Sequence, residues 1–150
     1  MASLQQGYKS RDGRSVPIDE AFMAWTSGDL HRMIGALSCR THPVDRHFLL
    51  MGIVDQAYKL RSNPDMATLC RRTAKMHLDE FPAIAPILAK EMGGKLPRVS
   101  TFQQYATLLA DEDDTERAID VCNAAIAFGL DDGTKAGFSG RIERLQQRNK

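Results

Sequence analysis

Few side chains in this sequence have both the type and the spacing for chemistry. Cys39, His42 and His47 come closest to a set of metal ligands. A structural zinc ion takes four ligands, usually as closely spaced pairs. Here Pro43 and a helix start fall between the ligands and no second pair follows, so solvent-facing or helix-capping roles are expected. Cys70 and Cys122 fall on apolar helix faces, where cysteine packs as a small apolar side chain rather than acting beside a base. The run Asp111–Asp114 offers carboxylates to a cation but lacks the glycine and the distal glutamate of a calcium loop. A solvated turn whose charge favours the next helix N-terminus accounts for it. The sequence carries no phosphate loop, nucleophile elbow or dinucleotide fingerprint. No catalytic residue, metal or cofactor is therefore expected. An enzyme would need His31, His42, His47 or His77 to meet carboxylates in one pocket.

Binding chemistry remains. Arg71, Arg72 and Lys75 form a basic cluster on the exposed side of one helix, and Arg40 and Arg46 are expected near it. Together with Lys9, Arg11 and Arg14 they offer the alternative of a nucleic-acid-associated regulator. Against it, 20 Lys+Arg balance 19 Asp+Glu for a formal charge of +1, whereas nucleic-acid binding calls for a basic surplus on one face. A mixed-charge solvated face is the simpler reading. Trp25, the sole tryptophan, is expected to anchor the core of the first hairpin.

The elements that position these residues read as helical almost throughout. The chain has 150 residues, 43% hydrophobic and 26% charged, as in an ordinary single globular domain. Three well-separated cysteines point to a reducing compartment. With no signal-like apolar run at the start and no membrane-length apolar stretch, a cytoplasmic location is expected. Residues 1–16 read as a flexible arm, and period-two alternation is absent, so no strand is predicted. Pro17 suits a first helical turn, and Asp29 can cap a second short helix. Pro43 opens a helix over about 44–60 that is apolar most of the way round, the expected spine of the fold. Asn63-Pro64 opens the next helix, to about residue 80, and Pro82 and Gly93-Gly94 bracket a short one. Ser100 and Gln103 match a capping box, and Gly129 with Leu130 closes the helix that starts near Asp114. Phe138, Ile142 and Leu145 line one face of a terminal helix.

Within residues 99–130, bulky Phe102 and Tyr105 precede small Ala106 and then Leu109. The following helix carries Ala118, Cys122 and Ala125. Small residues at 106, 118 and 125 let two helices approach closely. This spacing resembles a tetratricopeptide repeat, with Ala106 in place of that family's glycine and Leu130 in place of its closing proline. Residues 44–82 resemble a looser copy, matched by Tyr58, Cys70, Ala74 and Pro82, with His77 where a small residue is usual. The stretch from Gly129 to Leu145 is similar to the end of small tetratricopeptide-like proteins of bacterial and prophage genomes.

The resemblance, over about 44–150, implies an all-α fold: a short right-handed solenoid of stacked antiparallel helical hairpins with a C-terminal capping helix. The arm at 1–16 then precedes a single helical-repeat domain over 17–150. That domain comprises a short hairpin at 17–38, a degenerate repeat at 44–82, a linker helix at 83–92, a repeat at 99–130 and a capping helix at 136–148. The implied function is non-catalytic binding of a peptide or helix of a partner protein. Carried over by position, its groove presents Leu49, Gly52, Gln56 and Lys59 from one repeat and Gln103, Thr107 and Ala110 from the other. Self-association through the apolar excess of 44–60 is a further option.

Overall fold

The computed structural model describes residues 7–148. Among them the chain forms a two-stranded antiparallel sheet, β1 (Tyr8–Arg11) and β2 (Arg14–Pro17), followed by seven helices. These are α1 (Glu20–Ser27), α2 (Leu30–Gly35), α3 (Pro43–Lys59), α4 (Pro64–Glu91), α5 (Ser100–Asp111), α6 (Thr115–Ala127) and α7 (Gly137–Arg148). The chain is thus mostly helical, as its punctuation predicts, with one β-hairpin in front.

That hairpin corrects the expectation of a flexible, strand-free arm over 1–16, of which residues 1–6 lie outside the described residues. Asp12 and Gly13 take φ of 58° and 73°. Two successive left-handed residues make the two-residue turn whose twist matches its flanking strands. An isolated two-stranded ribbon is marginal in water, so its anchor decides whether it forms. Strand periodicity puts Lys9 and Arg11 on one face, and both reach Asp45 of α3. Lys9 Nζ lies 2.6 Å from Oδ2, and Arg11 donates from Nη2 to Oδ1 at 2.6 Å and from Nε to Oδ2 at 3.1 Å. Trp25, the third residue to donate, adds its Nε1–H at 3.0 Å. Asp45 is fully buried. Burial pushes its carboxyl up, but the bonds from Arg11, Lys9 and Trp25 outweigh it and hold the group below the usual carboxylate value. Pro17 ends β2 instead of opening a helix; Asp19 caps α1 by accepting the Phe22 N–H at 2.9 Å.

Asp29 caps α2 as anticipated. His42 caps α3, its Nδ1 accepting the Val44 N–H at 3.2 Å, with Pro43 in the first turn. α3 buries Val44, His47, Leu49, Leu50, Ile53, Val54 and Ala57. α1, α2, α4 and α5 all pack on it, the central position that an all-round apolar helix requires.

The predicted break at Pro82, with a separate linker helix over 83–92, does not occur: α4 runs unbroken through Pro82 and Pro86. A proline within a helix removes one backbone bond and crowds the carbonyl four residues back. These two are four residues apart and both exposed, so the cost falls on one outward strip. Phe81, Ile84, Ala85 and Leu88 keep the inward strip buried.

The capping box at Ser100 and Gln103 does not form either. Ser100 is already the first helical residue, and its hydroxyl donates to Asp55 at 2.9 Å. α6 is capped by Asp114. It closes with Gly129 at φ 73° while the Leu130 N–H bonds the Ala125 carbonyl at 3.0 Å, the left-handed closure predicted there. Ala106, Ala118 and Ala125 are all buried where α5 meets α6. α7 packs on α6 with Phe138 and Leu145 inward.

Asp45→Ala leaves the Lys9 and Arg11 charges and the Trp25 N–H without their acceptor. It is expected to lower unfolding stability by about 3–5 kcal/mol, read from urea denaturation. Asp45→Asn, which can still accept from Trp25, should lose less. Equal and negligible losses would show that the hairpin is not held by this carboxylate.

Candidate functional site

Two of the four histidines, His47 and His77, meet, and the bonds they make are to each other and to a hydroxyl, with no carboxylate. His47 of α3 and His77 of α4 are fully buried, their Nδ1 and Nε2 2.9 Å apart, and His77 Nδ1 lies 2.8 Å from the Thr101 hydroxyl of α5. His47, expected to face solvent or to cap a helix, instead packs against His77 and Phe81 of α4 and is buried there. A neutral ring has one donor and one acceptor nitrogen, so the chain carries its polarity in one direction at a time. If Thr101 donates, His77 donates onward and His47 Nε2 ends the chain as an N–H; if Thr101 accepts, that nitrogen ends it as a lone pair. His47 Nε2 has no hydrogen-bond partner among the described residues. Burial pulls the His47 pKa down to about 4. His77 is held well below its ordinary value by burial and by the neighbouring His47 and Arg46. Both rings are neutral at pH 7 and enclosed, and neither lines the cleft beside Pro43 or the groove between α5 and α7.

Cys70 and Cys122 occupy the core as the sequence indicates, and burial pushes both thiols up to about 11. They are protonated at neutral pH and inert as nucleophiles. Among the described residues no group of three or more His, Cys, Asp or Glu is arranged to hold a metal ion. No helix there is long and apolar enough to cross a membrane.

The seven residues assigned to a groove do not line one surface. Leu49 is fully buried in a cluster with Ala21, Ala24 and Met33 of the first two helices. Gly52 lies under Met33, whose Sδ would stand 2.9 Å from an added Cβ. Gln56 donates to the Gly28 carbonyl at 2.6 Å. The α1–α2 pair therefore covers this half of the predicted groove. Lys59 is exposed at the far end of α3, beside a separate cleft with Arg61 and Glu112. On α5, Gln103 has a buried side-chain oxygen without a hydrogen-bond partner among the described residues.

Thr107 and Ala110 line an open groove of about 260 Å³ between α5 and α7. Ala106, Ala110 and Leu145 form its floor and Arg141, Arg144 and Arg148 one wall, with Asp111 on the α5 side. Arg141 is fixed from behind by the buried Asp132, Nε to Oδ2 at 2.6 Å, and donates to the Thr107 hydroxyl at 3.2 Å. Arg148 Nη2 donates to the Ala110 carbonyl at 3.3 Å, near the α5 C-terminus, where backbone dipoles favour a cation. The three arginines were not singled out from the sequence. Their spacing of three and four residues was the available signal, since it places them on one helix face.

The basic cluster on α4 is largely neutralised. Arg71 pairs with Glu112 at 2.5 Å and Lys75 with Asp79 at 2.9 Å, leaving Arg72 exposed. A larger cleft, about 500 Å³, lies among Leu37, Cys39, Pro43, Ala83 and Ile84. Its Arg46 is occupied by Glu80, the Leu37 carbonyl and Met76 Sδ, and its Thr41 by Asp19. That leaves apolar shape with few directed groups. Comparison with known protein families, with curated proteins and with solved structures finds no match to this chain.

The buried histidines give stability a pH dependence with a definite sign. Both bind fewer protons folded than unfolded, so stability is fully present above the ordinary value of 6.5 and is lost as pH falls toward the folded value. With His47 displaced to about 4, that ring alone should cost about 2 kcal/mol between pH 7 and pH 4.5. Urea midpoints across this range measure it. Replacing both rings, His47→Leu with His77→Leu, should flatten the profile; an unchanged slope would assign the loss elsewhere.

Proposed function

We propose that this protein is a non-catalytic interaction module of the tetratricopeptide-like kind, which binds a segment of a partner protein in the groove between α5 and α7. The observation that carries this reading is the groove itself: an apolar floor shared by α5 and α7, edged by three arginines of which internal bonds hold Arg141 and Arg148 in place. At about 260 Å³ it is smaller than a typical small-molecule cavity. It suits the side chains of an extended or helical segment lying along it. The buried small residues of the 99–130 pair and the one-sided α7 support the repeat-and-cap organisation behind this reading. The ion pairs on Arg71 and Lys75 weigh against nucleic acid as the partner.

A photo-reactive benzoylphenylalanine at position 107, introduced in the native host, should form a discrete covalent adduct with a partner protein. The same residue at position 72 should not. Adducts only from position 72 would move the interface to α4, and none from either would remove the proposal.

A further inference from the structure

Resting on that reading of the groove, we infer that it selects an acidic protein segment and that Arg144 is the residue that engages the partner's carboxylate. Arg141, Arg144 and Arg148 follow one another along a single face of α7. The outer two are held by the protein. Arg141 sits on Asp132, a buried carboxylate that also accepts the N–H and hydroxyl of Thr134, at 2.9 and 2.6 Å. Arg148 sits on the Ala110 carbonyl. Arg144 lies between them, exposed, and among the described residues it makes no hydrogen bond or ion pair.

Asp132 pairs with Arg141, and Asp111 is the one carboxylate in the lining, so three arginines stand against two carboxylates and the groove keeps a net positive charge. A guanidinium presents a planar fork of donors that fits a carboxylate bidentately. With flanking side chains already immobilised, a carboxylate arriving at Arg144 orders little else. The apolar floor of Ala106, Ala110 and Leu145 takes small or aliphatic side chains beside it. Nucleic acid fits less well: the lining holds no aromatic ring on which a base could stack.

The test is an NMR titration of the 15N-labelled full chain at low ionic strength. Four probes are used: a capped helical peptide of glutamate and leucine, its lysine counterpart, a twelve-residue oligothymidylate and inorganic phosphate. The acidic peptide alone should give saturating shifts at the amides of 106–111 and 141–148. Arg144→Glu, an exposed position whose fold is checked by circular dichroism, should weaken binding about tenfold or more, the loss of one charge-assisted pair. Any of these results would overturn the inference: no saturating shifts, equal binding of the lysine peptide, stronger shifts with oligothymidylate or phosphate, or affinity indifferent to Arg144→Glu. Concentration-dependent shifts without any probe, removed by Arg144→Glu, would make a second copy the occupant and equally overturn it. If the position-107 adduct survives Arg144→Glu, the groove stands and the acidic partner falls; if neither adduct nor peptide binding appears, both fall.

Discussion

A carboxylate with no exposure to water must be paid for by donors, and Asp45 recruits them from separate parts of the chain. Lys9 and Arg11 come from the β-hairpin and the Trp25 indole from α1. Lys9 also lies 3.2 Å from Asp19, the cap of α1. One charged centre thus fixes the hairpin, the first helix and the N-terminal turn of α3 relative to one another. Apolar burial could not hold the hairpin, because most of its side chains stay exposed. Its position depends on charge pairing inside a site that excludes water, where such bonds are strongest.

Behind that centre, the remainder of α3 is organised by shape and by one polar chain. Trp25 stacks on Phe48 at 4.8 Å, and the aromatic contacts continue from His47 through Phe81 to Phe102 and Phe128. Through this apolar column runs the His47–His77–Thr101 chain, which links α3, α4 and α5. A displaced helix would leave a buried polar group unpaired. The chain therefore sets the mutual register of three helices that apolar packing alone would define less sharply.

The groove between α5 and α7 follows from how helices are covered. α3 carries apolar residues on all sides, so α1 and α2 are drawn onto the part that α4 and α5 leave open. This consumes the face on which Leu49, Gly52 and Gln56 lie. α5 is amphipathic instead. Its buried side meets α4 and α6, and Thr107 and Ala110 remain at an edge that α7 approaches without filling. The groove is what remains after apolar area has been covered, and its basic wall reflects the charged outer face of α7.

The sequence by itself determined most of the helices, because periodicity, prolines and caps act within a few residues. Pro43 and Asn63-Pro64 opened helices, and Gly129 closed one, where local chemistry requires. The Asp12-Gly13 turn is equally local, a hairpin signal flanked by strands too polar to show alternation. Pro82 misled because its effect depends on which face it occupies, and that is known only once the other face is packed. Tertiary structure alone decided that Lys9 and Arg11 share Asp45, that His47 meets His77 across 30 residues, and that half of the supposed groove is covered while three arginines edge the rest. These outcomes are pairings between distant segments. A pattern along the chain records the character of each face, whereas what a face meets depends on the area every other element must bury.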